Sequence, residues 1–487
     1  MIAAAGLTLA LAACGSQLTP AEVAAANGGG TGAGTGTAVG SGTGTGTDAG
    51  TGTGTDAGTG TGTDAGTGGG TGGTTTGGGG TGTTGGTTSG GGTGGGSTSA
   101  TGGAKAGDCT GFKNGPGITD DTITIGNSSD ISGPVPGLFE AAQDAVRAYV
   151  AYFNATNPKG ICGRKLVLKT YDSRTDAGAD QTAYASGCTE VFAMVGSMSA
   201  FDSGGAATSD KCGLPDLRSA GVTGARQKSR TFYGAQSTIA NEFENAVADY
   251  VIKNFPAAAK AGAVLYLNAG ASAENGVIQA KAETMRGLKI IYNQGIETSD
   301  FNYSPYVQQM KDKGVKYVQM IGATPQFVRL AQAMQQQGFK PDVLMFDPTA
   351  YTRDFIASGG DAVEGATIFT NFAPFEEANK NPELATYLNW LNQVKPGAEP
   401  TFFGVFSWSA ARLFVQEAIK LGGQLNRETL LTALSKVDDW TCNNLHSRQH
   451  VGPRHTGDGW RFLQVKGGKY VPIGGTNYNY NGVTVVR

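Results

Sequence analysis

The chain has 487 residues, of which 80 are glycine, and its formal net charge at pH 7 is −3. Because Lys and Arg do not outnumber Asp and Glu, the composition excludes the basic footprint typical of a nucleic-acid-binding protein. After the N-terminus no run of about 18 apolar residues occurs, so no transmembrane helix is expected.

The first predicted element is a short segment of apolar and small residues at 2–13. It is too short to cross a bilayer, and it fits the apolar region of a secretory signal peptide. The step LAAC, which ends at Cys14, resembles a bacterial lipobox, where the chain is cleaved before the cysteine and the thiol accepts a lipid. We therefore predict a lipoprotein signal peptide over residues 1–13 and lipidation of Cys14, which anchors the protein at the outer face of the cytoplasmic membrane.

A Gly/Thr-rich tract occupies residues 28–103. It has almost no apolar side chains to bury, so burial does not offset the entropy lost on ordering it. We predict a disordered linker over residues 14–104, and its Gly-rich part has a root-mean-square reach on the order of 50 Å. The folding unit then begins at about residue 105 and is long enough for a substantial core.

Five cysteines follow the predicted lipidation site, and an exported protein is able to form disulfides. The odd number leaves one cysteine free or intermolecular. Cys188 and Cys212 come close together if the strand between them lies in a parallel sheet, so this pair is favoured. A second candidate pair is Cys109 with Cys162, which leaves Cys442 over, although spacing alone does not decide the connectivity.

Short apolar runs alternate with helical periodicity from residue 121 onward. The predicted strands of the first series are TITIG, LVLKTYD, VFAMVG and LPDL, at residues 122–126, 166–172, 191–196 and 214–217. Between the first two strands, apolar residues recur at three- and four-residue spacing and predict a helix that ends before Pro158. The pattern is a βαβα series.

A second series begins with a helix near Ile239. Its predicted strands are AVLYL, LKIIYN, KYVQMI and DVLMF, at residues 263–267, 288–293, 316–321 and 342–346. After ATIFTNF (366–372), two long helical stretches are predicted at about 381–394 and 404–421.

Short apolar strands that alternate with helices indicate parallel sheets covered on both faces. The two consecutive series therefore predict an α/β fold of two doubly wound parallel-sheet lobes. In such sheets, ligands bind beyond the carboxyl ends of the strands, where loops and helix N-termini meet.

The stretch TSDFNYSPYVQQMKDKGVKYVQMIGATPQFVRLAQAMQQQGFKPDVLMFD (298–347) resembles the second lobe of type I periplasmic binding proteins. The features that carry this resemblance are the Asp-Phe step at residues 300–301, the lysine-bearing helix before the strand and the Gly-Phe turn at residues 338–339. The stretch TITIGNSSDISGP (122–134), followed by a long helix, resembles the opening of the same family. The most similar branch comprises the branched-chain amino acid, urea and amide receptors of ABC importers.

This resemblance covers nearly all of residues 118–487, and it implies two lobes that are joined by three hinge crossovers and close on a small ligand. The first lobe would comprise residues 105–237 and 366–440, and the second lobe residues 238–365 and 441–487. The implied function is capture of a small polar solute, an amino acid, amide or small carboxylate, and its delivery to an ABC permease, without a cofactor. The alternative is a sensory receptor of the same fold that signals to a membrane partner.

Candidate ligand contacts of the first lobe follow three of its strands, since hydroxyls and the N–H groups of helix starts bind carboxylates and other polar groups. These residues are Ser128, Ser129, Ser197, Met198, Ser199, Arg218 and Ser219. Each serine is alternatively a helix cap. Arg218 pairs with an anionic ligand or, alternatively, pairs with Asp216 or lines a solvated rim.

Candidate contacts of the second lobe are Asn268, Ala269, Gly322, Asp347 and Tyr351. In amino-acid-binding members of the family, an acidic residue beyond the last strand meets the ligand ammonium and tyrosines wall the pocket. Asp347 and Tyr351 are the nearest matches. However, the loops NAGASAENG and IGATPQ contain no tyrosine, which argues against an α-amino acid and leaves an amide, a small carboxylate or an aromatic compound open.

The histidines His446, His450 and His455 lie close to Cys442 in the sequence, and imidazole and thiolate are the ligands that zinc prefers. Their spacing matches no strong closed-site pattern, and the Gly-Pro step at residues 452–453 favours a surface loop, so no metal is predicted. The chain contains neither a Gly-x-Ser-x-Gly elbow nor a Walker-type Gly-Lys-Ser/Thr stretch. We therefore predict a protein without enzyme activity.

Overall fold

In the computed structural model, the described part of the chain comprises residues 99–487. The predicted signal peptide, the lipidation site Cys14 and nearly all of the predicted linker lie outside these residues. Within them, no helix has both the length and the apolar character that crossing a membrane requires.

The first sheet has five parallel strands in the order β2-β1-β3-β4-β5. They are β1 (Thr122–Ser129), β2 (Lys165–Asp172), β3 (Ala193–Val195), β4 (Asp216–Arg218) and β5 (Phe232–Gly234). Ile123, Ile125 and Val195 are fully buried. Four of the five strands were predicted from their short apolar runs, whereas the three-residue β5 was not. Ser128 and Ser129, predicted to follow β1, are its last two residues.

Four helices connect these strands. They are α1 (Glu140–Thr156), α2 (Ala177–Glu190), α3 (Ala206–Cys212) and α4 (Gly224–Gln227). Helix α1 buries Val146, Tyr149 and Phe153, which recur at three- and four-residue spacing and form one face. Helix α2 begins at Asp176, whose carboxylate accepts a hydrogen bond from Ala179 N at 2.8 Å and so satisfies a free N–H of the first turn.

The second sheet has eight strands, seven of them in the order β13-β12-β11-β10-β9-β7-β8, and β14 pairs with β12. Its strands and the short pair β6–β15 are β6 (Glu242–Glu244), β7 (Gly262–Leu267), β8 (Ile290–Ile296), β9 (Tyr317–Ile321), β10 (Val343–Phe346), β11 (Thr367–Thr370), β12 (Gly459–Lys466), β13 (Lys469–Ile473), β14 (Asn479–Tyr480) and β15 (Val483–Val485). Strands β7 to β11 are parallel. Strands β12 and β13 form an antiparallel edge that the prediction of parallel sheets did not include. Two glycines with positive φ, Gly467 and Gly468, make the tight hairpin turn between them.

Five helices accompany the second sheet. They are α5 (Ala246–Asn254), α6 (Gly270–Arg286), α7 (Ser304–Asp312), α8 (Thr324–Gln336) and α9 (Arg353–Gly359). Helix α8 buries Phe327, Leu330 and Met334 along one face. The ring of Phe327 lies 4.9 Å from that of Phe346 in β10, so the face packs on the sheet.

Three later helices return to the first sheet. They are α10 (Pro382–Val394), α11 (Phe402–Leu421) and α12 (Arg427–Leu434). The indole of Trp408 in α11 stacks on the Tyr152 ring of α1 with centroids 5.6 Å apart, and Ser407 Oγ donates to the Gly196 carbonyl at 2.8 Å. We call the first sheet with α1–α4 and α10–α12 the first lobe, and the second sheet with α5–α9 the second lobe.

The chain passes between the two lobes three times, and the crossing segments are hydrogen-bonded to one another. Ser237 N donates to Gln449 Oε1 at 3.0 Å, and His450 N donates to Ser237 Oγ at 2.9 Å. Ser447 N donates to the Asn371 carbonyl at 2.8 Å. The crossings therefore run side by side and hold the two lobes together.

Two predicted lobe boundaries differ from this arrangement. The sequence places residues 366–440 in the first lobe, but β11 pairs with β10, so the crossing follows Thr370. The sequence places residues from 441 onward in the second lobe, but His446 Nε2 lies 2.8 Å from Ser409 Oγ of α11, so this part still packs on the first lobe. Both differences arise because strand pairing and helix packing join segments that no local pattern connects.

Both predicted disulfides are present, Cys109–Cys162 and Cys188–Cys212, with Cα atoms 5.4 and 5.9 Å apart. Among the described residues, the remaining cysteine is Cys442, which is free and fully buried. Burial raises the pKa of its thiol, so the reactive thiolate is disfavoured.

We predict that replacing both Cys188 and Cys212 with serine lowers the free energy of unfolding by about 2–4 kcal/mol, because the disulfide restricts the unfolded chain. Urea unfolding followed by circular dichroism measures the change. Reductant is the control, since it should destabilise the wild type more than the double variant. Equal free energies of unfolding for the two proteins would contradict the prediction.

Candidate ligand-binding cavity

A cavity of about 270 Å³ lies between the carboxyl edges of the two sheets. The first lobe contributes the loops after β1, β3 and β4, and the second lobe contributes the loops after β7, β9 and β10. The carboxyl ends of parallel strands meet at one edge of a sheet, so loops distant in sequence converge there. Residues of the crossing segments complete the wall.

The wall is largely apolar and rich in aromatic rings. The rings belong to Phe139, Phe201, Phe243, Phe369, Phe402, Phe403 and Trp460. Phe403 meets Phe139 and Phe402 edge to face, with centroids 4.6 and 4.8 Å apart. Phe369 meets Trp460 in the same way at 5.2 Å. Such a wall favours a ligand with an apolar body.

The charged groups of the wall are all acidic. They are the carboxyl groups of Glu242, Glu244 and Asp347, and within residues 99–487 no Lys, Arg or His side chain lines the cavity. The remaining polar groups are amides and hydroxyls. The electrostatics of the wall therefore disfavour an anionic ligand.

Asp347 follows β10 and is held by two backbone donors. Thr349 N donates to Oδ1 at 2.7 Å, and Gly322 N donates to Oδ2 at 3.1 Å. Burial nevertheless raises the pKa of Asp347 to about 6, because it penalises the charged form more than these hydrogen bonds favour it. This carboxyl group titrates close to neutral pH.

Four of the predicted binding residues line the cavity: Met198, Ala269, Gly322 and Asp347. They follow β3, β7, β9 and β10, as the rule for strand-end loops predicts. Their contact with a solute stays a prediction.

The five predicted serines lie behind the wall. They are Ser128, Ser129, Ser197, Ser199 and Ser219, all fully or almost fully buried. Ser197 Oγ accepts from Ser128 N at 3.0 Å, and Ser219 Oγ donates to the Phe403 carbonyl at 3.0 Å. Ser199 Oγ accepts from Phe201 N at 3.2 Å, which is a local turn contact and not the helix cap of the alternative interpretation. The hydroxyls of Ser197, Ser199 and Ser219 thus hold the loops that carry the wall, whereas Ser128 Oγ has no hydrogen-bond partner among the described residues.

Arg218 is fully buried inside the first lobe and does not line the cavity. Its guanidinium donates to the Tyr184 hydroxyl and lies 3.8 Å from Asp216 and 3.9 Å from Asp202. Arg226 shares Asp216 at 2.9 Å. Of the interpretations for Arg218, the structure therefore shows the pairing with Asp216. The phenol and carboxyl groups around it raise its pKa against the effect of burial, so its charge is permanent.

The remaining two predicted residues are also engaged elsewhere. Asn268 is exposed, and its Nδ2 donates to Glu297 Oε1 at 2.6 Å. Tyr351 is buried, its hydroxyl donates to Glu376, and its ring stacks on Phe375 with centroids 5.0 Å apart. Neither lines the cavity.

The sequence did not indicate the wall residues that come from the crossing segments, from the strands β6 and β12 next to them, and from the start of α11. They include Gln236, Glu242, Glu244, Phe402, Phe403, Thr456 and Trp460. The available signal was the crossing itself, because a segment that passes between two lobes at their facing edges must border the cleft. The positions of individual side chains along those segments had no local pattern.

The three histidines have separate partners. His446 is buried, and its Nε2 lies within hydrogen-bond distance of Ser409 Oγ. Burial lowers the pKa of its imidazole to about 4. His450 Nδ1 lies 2.7 Å from Asp438, and His455 Nδ1 lies 3.1 Å from Glu242. The three rings therefore do not share one set of ligands.

A sequence profile of the family described as "Periplasmic binding protein" matches residues 122–469. A solved leucine-binding protein of Thermotoga maritima MSB8 is similar, with a TM-score of 0.61 at 16% identity over 75% of this chain and 99% of that protein.

Two further solved structures illustrate the range of similar proteins. A fatty acid ABC transporter substrate-binding protein of Thermomonospora curvata has a TM-score of 0.64 at 19% identity over 76% of this chain and 95% of its own. A solute-binding protein of an ABC transporter from R. palustris, in complex with 4-hydroxybenzoate, has a TM-score of 0.60 at 18% identity, covering 75% and 97%. At these identities the likeness concerns the fold.

We expect Arg218→Ala to lower the free energy of unfolding by about 3–5 kcal/mol, because removing one partner leaves buried carboxylates uncompensated. Urea unfolding measures the loss. Arg230→Ala, at an exposed position of the same lobe, is the matched control and should change the free energy of unfolding by less than about 0.5 kcal/mol. A stable Arg218→Ala protein would show that the buried network does not support the lobe.

Proposed function

The chain belongs to the periplasmic binding protein family, and on this premise we propose that it captures a small solute between its two lobes and delivers it to an ABC permease. The observation that carries the proposal is the cavity of about 270 Å³ at the facing edges of the two sheets. Concave, largely apolar sites with a few polar groups are typical of small-molecule binding.

Capture requires a solute that contacts both lobes. The lobes already touch beside the cavity, where Ala271 N donates to the Ala200 carbonyl at 3.1 Å and Gly224 N donates to Glu274 Oε2 at 3.1 Å. A solute that bridges the same two surfaces favours the closed arrangement over an open one by its difference in affinity for the two. A permease that recognises the closed arrangement then receives the loaded protein.

The wall favours a solute with an apolar or aromatic body, which is less polar than the solute that the sequence implied. Seven aromatic side chains line the cavity, whereas the predicted serines lie behind its wall. The similar structures described above include proteins for leucine, a fatty acid and 4-hydroxybenzoate. Since proteins of this fold bind chemically different solutes, the side chains of this wall indicate the class of solute better than the fold does.

We expect Phe403→Ala and Trp460→Ala to weaken solute binding about ten- to a hundred-fold, since burial of a large apolar side chain contributes about 1.5–3 kcal/mol. A thermal-shift screen of small solutes first identifies a ligand, and titration calorimetry then measures Kd. Phe301→Ala is the control, because this ring is 74% exposed and lies outside the cavity. A screen without any shift in Tm, or equal affinities for all variants, would contradict the proposed function.

We further propose that Cys14 carries a lipid and holds the protein at the outer face of the cytoplasmic membrane. The support is the lipobox-like step before this residue and the Gly/Thr-rich tract after it. The linker that the sequence predicts here would leave the solute-binding part free to meet a permease in the same membrane.

Replacing Cys14 with serine should move the protein from the membrane fraction to the soluble extracytoplasmic fraction, because no thiol remains to accept the lipid. Cell fractionation and the intact mass of the mature protein measure the change. Cys442→Ser is the control and should remain with the membrane. Retention of Cys14→Ser at the membrane would overturn the proposed anchor.

A further inference from the structure

Helix α6 carries a polar stripe along the face that borders the cavity. Ser272, Asn275 and Gln279 line the cavity, and Glu283, four residues further on, continues the same face. Glu283 is only 4% exposed. The stripe therefore leads from the cavity to a buried carboxyl group.

One carboxyl oxygen of Glu283 has no hydrogen-bond donor within residues 99–487. Its Oε1 accepts long hydrogen bonds from Gln279 Nε2 at 3.3 Å and from the Tyr317 hydroxyl at 3.4 Å. Its Oε2 has no hydrogen-bond partner among the described residues, and neither has Nε2 of the fully buried Gln319. Buried polar atoms without partners are costly and uncommon, so this group points to a ligand.

Glu244 brings a second carboxyl group to the same region and lines the cavity itself. Its Oε2 accepts from Val247 N at 3.0 Å. Burial raises the pKa of Glu244 and of Glu283 to about 8, and the proximity of Glu244 adds to the shift of Glu283. A nearby positive charge favours the ionised form of carboxyl groups whose pKa is raised in this way.

The cations around this pair have other partners. Arg286, in the last turn of α6, donates to the two carboxylate oxygens of Asp249 at 2.7 and 2.9 Å. His455 Nδ1 lies 3.1 Å from Glu242. Since no cationic side chain of the described residues lines the cavity, a cationic solute is the partner that would favour ionisation of the pair.

Aromatic rings line the same cavity as Glu244. Phe243 precedes it in β6, and Phe369 and Trp460 face each other with centroids 5.2 Å apart. The faces of such rings attract ammonium groups and also pack against apolar groups. The wall thus offers an acidic end and an aromatic remainder.

We propose that the solute is an organic cation, an amine with an apolar body, whose ammonium group is held by Glu244 on the cavity wall and reaches along the polar stripe to Glu283, which lies behind the lining at Gln279. This inference rests on the proposed solute-binding function and names its ligand class. An ammonium group has N–H donors for Glu283 Oε2 and for Glu244. Gln279 and Tyr317 are positioning residues, because they act on the ligand through Glu283.

Binding of the cation favours the ionised carboxylates and so releases protons to solvent. Affinity for a ligand of fixed charge therefore rises with pH up to the range in which both groups are ionised in the free protein. Arg286 keeps the pKa of Asp249 low and burial keeps that of Tyr317 high, so neither contributes near neutral pH. Asp347, whose pKa burial raises to about 6, is the other wall carboxyl group that contributes in this range, and His455 lies beside Glu242 at the same cavity.

Three probes that share one ring test the ligand class: benzylamine, benzamide and benzoate, with hexylamine, hexanamide and hexanoate as an alkyl series. Thermal shift and calorimetry on the purified chain at pH 8 measure binding. We expect the amines to raise Tm and to bind at least about ten-fold more tightly than the amides, because the amide lacks the charge. The carboxylates should give no shift.

The outcomes separate the inference from the function on which it rests. Binding of amides or carboxylates without binding of amines overturns the inference and leaves solute binding intact. If neither series binds, the ligand identified in the broad screen tests the inference. A cationic ligand supports it, and a ligand without a positive charge overturns it. A broad screen without any ligand overturns the proposed function as well.

Variants and pH then test the two carboxyl groups. Glu244→Gln and Glu283→Gln, which keep the shape of the protonated acid, should each weaken amine binding at pH 8 about ten-fold or more. The exposed Glu364→Gln is the matched control. Affinity for benzylamine, which stays a cation with N–H donors over this range, should rise between pH 6 and 8 in the wild type, and any slope left in the double variant reports Asp347, whose pKa burial raises to about 6. A flat wild-type profile would overturn the role of the pair.

Discussion

The three passages of the chain between its two sheets are the constraint on which the binding site depends. A single doubly wound sheet has loops at its carboxyl edge that form one side of a site. The passages place the two edges opposite each other, because they are hydrogen-bonded side by side, at Ser237 with Gln449 and at Asn371 with Ser447. The same passages supply wall residues such as Gln236 and Thr456. The connection between the lobes is thus also part of the site.

The charges of the first lobe are used inside that lobe. Arg218 and Arg226 pair with buried aspartates. One of these, Asp202, also accepts from Val222 N at 2.9 Å and from Thr223 N at 3.2 Å, and so fixes the loop after β4. The guanidinium groups near the cleft therefore stabilise its loops. The ionisable groups that the described residues leave on the wall are carboxyl groups, and a wall with carboxyl groups but without basic groups favours a cationic solute.

Much of the fold was predictable because its signals are local. Strand β1 begins with alternating Thr and Ile whose isoleucines are buried, α1 has a buried face at helical spacing, and the residues of the Cys188–Cys212 disulfide flank a single strand. The site was predictable to the level of the loop, since Met198 and Asp347 follow strands whose ends meet. The direction in which each side chain of these loops points was not predictable. Ser197 bonds Ser128 behind the wall, whereas its neighbour Met198 lines the cavity, and one rotation of the loop backbone would exchange them.

The sequence alone established the class of fold, the series of strands and helices and the edge at which a ligand would bind, because periodicity, turns and caps act over a few residues. The three-dimensional arrangement set the composition and the charge of the wall. Phe402, Glu244 and Trp460 lie far apart along the chain and meet at one cavity. They meet only after the chain has crossed between the sheets and paired strands that are distant in sequence, and such long-range contacts leave no local pattern to read.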